Sequence, residues 1–322
     1  MKAIVCRSFG SPDQLELTDL AKPTLEDDTV LVRVSASSVN AVDWRVMRGR
    51  PYVGRLMGTG LRRPSTLVPG IDVAGVVESV GAAVTEFRPG DEVFGTRSGA
   101  WAEYVAGRER NFLLKPARLN FEHAAAVPAA AVTALEALRD GGRLQAGQTV
   151  LINGAAGGVG TFAVQIAKSL GGVVTGVCSS RNAEMVRSIG AAHVIDYAAE
   201  DFSRSGKRYD VLLDIAGNRS ISDCLRVLAA DGTLVILGGP EGPFLGPMSH
   251  WLVAIMRRRF VSQKLVPFLS RGGKDKLDSV RQLIEAGCVS PVIDRTYSLS
   301  EAAEAVRYVE THHARAKVVI TL

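Results

Sequence analysis

At 322 residues the chain is long for a single hydrophobic core, and with 47% hydrophobic and 22% charged residues it has the composition of a folded globular protein. The net charge of +5 comes from 38 basic and 33 acidic residues, and because the basic residues are mostly scattered, nucleic-acid binding is disfavoured. The 4 cysteines lack the spacing of a disulfide framework or zinc site, and no apolar stretch approaches the roughly 20 residues that span a bilayer. We therefore expect a cytoplasmic protein, and its length predicts two domains.

The first third of the chain predicts a β-rich domain. Runs of β-branched residues at 29–35 and 71–80 are bounded by Pro and Gly, and a Pro-Gly-Asp turn at 89–91 precedes another strand. A stretch at 48–63, rich in Arg and Gly, is predicted to be a loop. The last predicted strands, 292–297 and 317–321, flank a helix at 301–311, and we expect them to return to the first domain.

The middle of the chain predicts a parallel sheet. After an Ala-rich helix at 121–139, strands alternate with helices, which is typical of a sheet with helical crossovers. Strands are predicted at 149–153, 173–178, 193–196, 210–215 and 233–237, and helices at 158–170, 182–189 and 219–229. From 248 to 287 the pattern is helical, interrupted at Pro267 and at two adjacent glycines.

A glycine-rich segment, NGAAGGVG at 153–160, lies between a predicted strand and a predicted helix. Glycines at this place let backbone N–H groups approach the pyrophosphate of a dinucleotide, and the positive end of the helix dipole favours its charge. The match to GxGxxG is imperfect because Ala155 stands at its first glycine position, although Gly157 and Gly160 fill the other two. A tight turn without a ligand is the alternative.

The residues after the second strand of this unit favour NADP(H) over NAD(H). NAD-binding proteins use an Asp or Glu about 20 residues beyond the loop to bind the ribose 2′-hydroxyl. Here Ser179, Ser180 and Arg181 occupy that place, and no acidic residue occurs from 161 to 183. A guanidinium pairs well with a 2′-phosphate. Alternatively, Arg181 is a solvated residue and the serines cap the next helix.

The chain resembles the medium-chain dehydrogenase/reductase superfamily, and within it the zinc-free quinone oxidoreductase branch. The resemblance covers essentially the whole chain. It rests on VNAVD at 39–43, VPGIDVAGVVE at 68–78, FRPGDEVF at 87–94, AVPAAAVTAL at 126–135, AAGGVG at 155–160, GAAHVIDY at 190–197, YDVLLDIAG at 209–217 and GTLVILGG at 232–239.

This resemblance implies an α/β protein with a GroES-like β-rich catalytic domain and a Rossmann domain with a doubly wound parallel sheet. We place the GroES-like domain at 1–122 and 288–322 and the NADP-binding Rossmann domain at 123–287. The resemblance also implies a cleft between the domains and a homodimer.

Residue by residue, the resemblance implies three groups of NADP(H) contacts. Those to the pyrophosphate are Ala156, Gly157, Gly158, Val159 and Gly160. Those to the adenosine phosphate end are Ser179, Ser180, Arg181 and Tyr197, while Asn182 stands where many relatives carry a Lys. Those near the nicotinamide are Thr133, Ala216, Gly217, Leu237, Gly238 and Gly239.

Zinc-dependent relatives carry a Cys and a His where this chain has Asn40 and Ile71, and they also carry a lobe of four closely spaced cysteines, which this sequence lacks. Tetrahedral zinc needs such N and S ligands, so no zinc is expected. The hydride transfer then relies on proximity and on polar groups that stabilise the developing oxyanion. We select Asn40 and Tyr52 as candidate donors, with a turn-forming residue and a half-buried aromatic residue as their alternatives.

Three functions remain open from the sequence. The first is an NADPH-dependent, zinc-free reductase of quinones or α,β-unsaturated carbonyl compounds. The second is an NADPH-binding sensor or interaction module with little turnover that contacts RNA. The third is a docking role, on a membrane surface or a partner, for the stretch from Trp251 to Lys264, although its arginines at 257–259 are also explained by a solvated helix end.

Overall fold

The computed structural model describes residues 1–240 and 242–322, and it divides into two compact units. Unit 1 comprises Met1–Val132, Gly272–Ala286 and Pro291–Leu322, and unit 2 comprises Thr133–Arg271 and Gly287–Ser290. The stretches 123–132 and 272–286, which we predicted to be part of the Rossmann domain, cluster with unit 1, and residues 288–290, which we predicted to be part of the GroES-like domain, cluster with unit 2.

The strands are β1 (Lys2–Cys6), β2 (Leu15–Asp19), β3 (Thr29–Val39), β4 (Asp72–Val80), β5 (Glu92–Thr96), β6 (Tyr104–Arg108), β7 (Phe112–Leu114), β8 (Thr149–Asn153), β9 (Val173–Cys178), β10 (His193–Asp196), β11 (Tyr209–Asp214), β12 (Leu228–Ile236), β13 (Lys264–Pro267), β14 (Ile293–Ser298) and β15 (Lys317–Thr321). The helices are α1 (Ala41–Arg48), α2 (Tyr52–Gly54), α3 (Phe121–Ala125), α4 (Pro128–Glu136), α5 (Gly158–Ser169), α6 (Ala183–Ser188), α7 (Ile221–Arg226), α8 (Met248–Arg257), α9 (Lys274–Glu285) and α10 (Ala302–Glu310).

Unit 1 is built on a mostly antiparallel sheet. Its strand order is β14-β15-β3-β4-β5-β7, and β6 also pairs with β3. The strand β15 near the end of the chain pairs with β3, with Val318 opposite Val39. The predicted return of the last strands to the first domain is therefore correct, and Lys317 is brought beside the end of β3.

Unit 2 is built on a sheet in which every pairing is parallel, in the order β10-β9-β8-β11-β12-β13. Its central strands carry Leu151, Ile152, Leu212 and Leu213, all fully buried, because both faces of such a sheet are covered. The order reverses direction at β8, so the gap between β8 and β11 is a topological switch point, where doubly wound sheets bind their ligands. The predicted doubly wound sheet is confirmed.

Three local predictions are wrong. The Ala-rich helix at 121–139 is broken before α4, because Pro128 lacks an N–H and disfavours helical backbone at the preceding residue. Residues 264–267 form β13 rather than helix, since Pro267 is tolerated at the end of an edge strand. The stretch 48–63 contains α2 and further helical backbone from Arg55 that is interrupted at Gly58, where φ is +111°, so it is not simply a loop.

Candidate functional site

The carboxyl edge of the parallel sheet gathers nearly all the predicted cofactor contacts. Parallel strands end at the same edge, so the segments after β8, β9, β10, β11 and β12 are neighbours. These segments contain Ala156, Gly157, Gly158, Val159, Gly160, Ser179, Ser180, Arg181, Tyr197, Ala216, Gly217, Leu237, Gly238 and Gly239. Thr133 lies within α4, outside these segments.

The loop after β8 is packed so closely that glycine is required at two positions. Gly154 has φ +94°, so it makes the tight turn that the first glycine of the fingerprint makes, one residue before Ala155. A Cβ on Gly160 would lie 2.1 Å from the Gly154 carbonyl oxygen. A Cβ on Gly157, the N-cap of α5, would meet only that oxygen, at 3.5 Å. The space at Gly157 is therefore the place where a phosphate can approach the backbone.

The loops after β11 and β12 touch each other through their backbones. A Cβ on Gly217, which has φ +63°, would lie 1.9 Å from the backbone nitrogen of Gly239, and one on Gly238 would lie 2.2 Å from the carbonyl oxygen of Ile215. Larger residues would separate these two loops. The predicted nicotinamide contacts Gly217, Gly238 and Gly239 thus form one closely packed surface beside the switch point.

A buried carboxyl group that we did not predict supports these loops. Asp214 ends β11, and its Oδ1 accepts hydrogen bonds from Asn153 Nδ2 at 2.8 Å and from the Gly217 backbone N–H at 3.0 Å. Burial raises the pKa of Asp214, while these hydrogen bonds oppose the shift. The sequence signal was an Asp directly after the apolar run Val211–Leu213, where a buried charge needs a partner.

The segment after β9 presents the residues predicted to contact a 2′-phosphate. Ser179 is the N-cap of a short 3-10 turn, Ser180–Asn182, in which Arg181 is exposed. Asn182 is buried, and its Nδ2 donates to Ser179 Oγ at 3.2 Å. Asn182 therefore fixes Ser179, and Arg181 is the cation of this segment. Tyr197, after β10, is 49% exposed.

In unit 1, Asn40 stands at the centre of a buried polar network. Its backbone N–H donates to Asp43 Oδ2 at 2.7 Å, its Nδ2 donates to Asp72 Oδ2 at 2.8 Å, and its Oδ1 accepts from Lys317 Nζ at 2.7 Å. It is also the N-cap of α1. Asn40 can therefore begin α1, as the turn-forming alternative predicted, and also donate a hydrogen bond to a substrate. Asp72 and Lys317 were missed, although each is a charged residue in an apolar run.

Tyr52 is more exposed than the residues of this network. It is the first residue of α2, it is 39% exposed, and the Arg55 guanidinium lies 4.9 Å from the centre of its ring. The two candidate donors, Asn40 and Tyr52, therefore differ in exposure, and Asn40 is held by the buried charged groups of Asp72 and Lys317.

Unit 1 also contains a cavity of about 170 Å³ beside α1. Its lining includes Cys6, Val42, Asp43, Met47 and Ile71. Neither Asn40 nor Tyr52 is among the described residues that line it. A cavity of this size holds a molecule about as large as benzene, and it presents one buried carboxyl group on a mainly apolar wall.

The buried carboxyl group of Asp43 makes stability depend on pH. Burial raises its pKa to about 7, and the negative charge of Asp72 adds to the shift, whereas the backbone N–H groups of Asn40 and Gly70 and the charge of Lys317 oppose it. The folded state therefore binds a proton that the unfolded state releases above about pH 4. The stabilisation from this proton is complete below about pH 4 and is lost as the pH rises towards 7.

We expect Asp43→Asn to flatten this part of the pH dependence. Between pH 5 and 7 the wild-type free energy of unfolding should fall relative to that of the variant by up to about 1.4 kcal/mol per pH unit. Urea unfolding at several pH values measures the difference, with the exposed Asp231→Asn as the control that keeps the wild-type slope. Equal slopes in all three proteins would contradict the raised pKa.

Within residues 1–240 and 242–322, no group of three or more His, Cys, Asp and Glu side chains is arranged to hold a metal ion. The cysteines there are unpaired, and Cys288 alone is exposed.

The described helices include none with the length and apolar character needed to cross a membrane. Arg257 ends α8, with Arg258 and Arg259 following, and all three are exposed.

Comparison with known proteins gives two family matches. Residues 26–117 match the model of the alcohol dehydrogenase GroES-like domain, and residues 189–320 match the model of zinc-binding dehydrogenases. The first match lies within unit 1, in agreement with the predicted GroES-like domain. The second begins before β10 and ends within the last strand, so the two models together cover most of the chain.

Individual relatives match the chain along nearly its whole length. The chloroplast envelope quinone oxidoreductase homolog of Arabidopsis thaliana is 32% identical, with 99% of this chain and 98% of that protein covered. The chloroplastic NADPH-dependent alkenal/one oxidoreductase of the same plant is 34% identical over 99% of this chain and 79% of its own length. The quinone oxidoreductase structure from Coxiella burnetii is 28% identical, with a TM-score of 0.87 and coverage of 100% and 99%.

Proposed function

The chain belongs to the medium-chain dehydrogenase/reductase superfamily, in its zinc-free, quinone oxidoreductase-like branch, and we therefore propose that it reduces a quinone or an α,β-unsaturated carbonyl compound with NADPH. The chain is an oxidoreductase, and its cofactor is NADP(H). Each turnover passes a hydride from NADPH to the substrate and adds one proton from water, giving NADP⁺ and the hydroquinone or saturated carbonyl compound.

The binding of NADPH in this proposal is supported mainly by the loops at the carboxyl edge of the parallel sheet. Gly154 and Gly160 shape the loop after β8 so that a phosphate can reach the backbone at Gly157 and the N-terminus of α5. Arg181 and Ser179 follow the neighbouring strand, where a carboxylate would repel a 2′-phosphate. This arrangement fits NADPH better than NADH.

The reduction of a conjugated carbonyl group fits the polar groups of unit 1. In our proposal Asn40 donates a hydrogen bond to the oxygen on which negative charge develops, and Tyr52 is the second candidate donor. The names of the similar proteins, quinone oxidoreductase and alkenal/one oxidoreductase, support this substrate class. Asn40 and Ile71 are poor zinc ligands, so stabilisation of the oxyanion falls to hydrogen-bond donors.

The proposal is tested by following NADPH oxidation at 340 nm with a panel of quinones, alkenals and enones. We expect turnover with at least one of these classes, faster with NADPH than with NADH at equal concentration. Simple ketones, which lack the conjugated double bond, serve as the control and should react slowly. Binding of NADPH without turnover across the whole panel would favour the sensor function instead.

We also propose the organisation of the working protein. Unit 2 binds the cofactor, unit 1 supplies the groups that contact the substrate, and the chain forms a homodimer, as the family resemblance implies. Light scattering after size-exclusion chromatography checks the dimer, for which a mass of twice 34.2 kDa is expected. A monomer at micromolar concentration would contradict this part of the proposal.

A further inference from the structure

We propose that Lys317 is a positioning residue for the reductase reaction, holding and polarising the Asn40 amide so that Asn40 can stabilise negative charge on the substrate oxygen. This inference rests on the function proposed above. It adds a cation to a site for which the sequence suggested only neutral donors.

Lys317 is the first residue of β15, and it is only 2% exposed. Lysine is rarely buried to this extent without a partner, because removing an ammonium group from water is energetically unfavourable. Its partners come from two other strands of the same sheet: Asn40 directly follows β3, and Asp72 begins β4. The three side chains meet although they are far apart in the sequence.

Charge compensation alone does not explain the position of the ammonium group. Lys317 Nζ lies 2.7 Å from Asn40 Oδ1 but 3.4 Å from Asp72 Oδ2. A lysine that only neutralised a carboxylate would be expected at the shorter distance from the carboxylate, where a charge-assisted hydrogen bond is strongest. The stronger hydrogen bond of the ammonium therefore goes to the amide oxygen of Asn40.

Asp72 has enough other donors to fix its own position. The Ser38 hydroxyl donates to Oδ2 at 2.5 Å, and the Ala129 backbone N–H donates to Oδ1 at 2.9 Å. Asp72 is fully buried. It accepts one N–H of the Asn40 amide, so the amide is held at both ends, by the carboxylate at Nδ2 and by the ammonium at Oδ1.

This arrangement changes the chemistry of the amide. A cation that donates to Oδ1 withdraws electron density from the amide and strengthens the Nδ2 hydrogens as donors. One of these hydrogens goes to Asp72, and we assign the second to the substrate oxygen. A donor that is fixed and polarised before the reaction stabilises an oxyanion without reorganisation in the transition state. Lys317 thus supplies positive charge through Asn40.

The test is a double-mutant cycle on the whole protein with the best quinone or enone substrate. We expect Lys317→Met to lower kcat about tenfold while the substrate KM and the NADPH Kd change less than about twofold, since a weakened donor acts mainly in the transition state. On an Asn40→Ala background, Lys317→Met should lower kcat no further. Independent losses that multiply in the double variant would overturn the inference, as would a normal kcat in the single variant.

Because Lys317→Met leaves Asp72 as an unpaired buried carboxylate, the variant Asp72→Asn/Lys317→Met serves as the control for folding. We expect it to recover the thermal midpoint of the wild type but to keep the low kcat. Recovery of both would show that only charge balance matters, and would overturn the inference. Wild-type protein without turnover would overturn the proposed function and this inference together, whereas active wild type with an unaffected Lys317→Met overturns the inference alone.

Discussion

A Gly157→Ala variant is expected to fold like the wild type and to bind NADPH about a hundredfold more weakly, because its methyl group would occupy the space through which the pyrophosphate approaches the backbone. The backbone of Gly157 has φ −83° and ψ 178°, which alanine adopts without strain. The nearest atom to the new Cβ is the Gly154 carbonyl oxygen, at an ordinary contact distance of 3.5 Å. Binding should therefore be lost without loss of structure.

The matched control is Gly160→Ala, one turn further along α5. There the new Cβ would lie 2.1 Å from the Gly154 carbonyl oxygen and 2.8 Å from the backbone carbon of Ala155, so the loop must move. Overpacking of this kind costs about 1–3 kcal/mol, and the thermal midpoint should fall. Fluorescence titration with NADPH and thermal unfolding distinguish the two variants. Wild-type affinity in Gly157→Ala would place the phosphates elsewhere.

An Arg181→Ala variant is expected to lose affinity for NADPH about tenfold to a hundredfold and to keep its affinity for NADH. A charge-assisted hydrogen bond to a phosphate contributes about 1.5–3 kcal/mol, and only NADPH carries the 2′-phosphate. Since Arg181 is exposed and lies in a short turn, its removal should leave the fold intact.

Titration of both cofactors at one fixed salt concentration measures this selectivity. Arg187→Ala removes another exposed arginine of unit 2, at the end of α6, and serves as the control for the general effect of one positive charge. An equal loss for NADPH and NADH in Arg181→Ala would mean that the arginine acts on the shared part of the cofactor, and the assignment to the 2′-phosphate would then be wrong.

The sequence was sufficient to predict the parallel sheet and the place of its loops. Alternating runs of strand and helix fix the direction of every strand, and once the strands are parallel, the segments after 153, 178, 196 and 214 must lie at one edge. Local glycine chemistry then identified the loop at 154–160. These inferences needed only neighbouring residues, so they did not depend on contacts between distant parts of the chain.

The polar network around Asn40 could not be predicted in the same way. Lys317 and Asp72 are separated by 245 residues, and their approach depends on the register in which β15 and β4 pair with β3. A shift of one residue in that register would turn Lys317 to the other face of the sheet. The edge strand β13 was missed for a different reason, because four residues are too few to show the alternation of a strand.

The pairing of β15 with β3 has a consequence for how the protein is made. Strand β3 leaves the ribosome early, yet β15, which completes its hydrogen bonding, is synthesised much later. The paired residues Val39 and Val318 are more than 270 residues apart in the sequence. All strands of the unit 2 sheet emerge during that interval. Until β15 is synthesised, the nascent N-terminal strands have an unpaired sheet edge, which can mispair or bind chaperones. Unit 2, which lies between β3 and β15 in the sequence, has time to fold before unit 1 is complete.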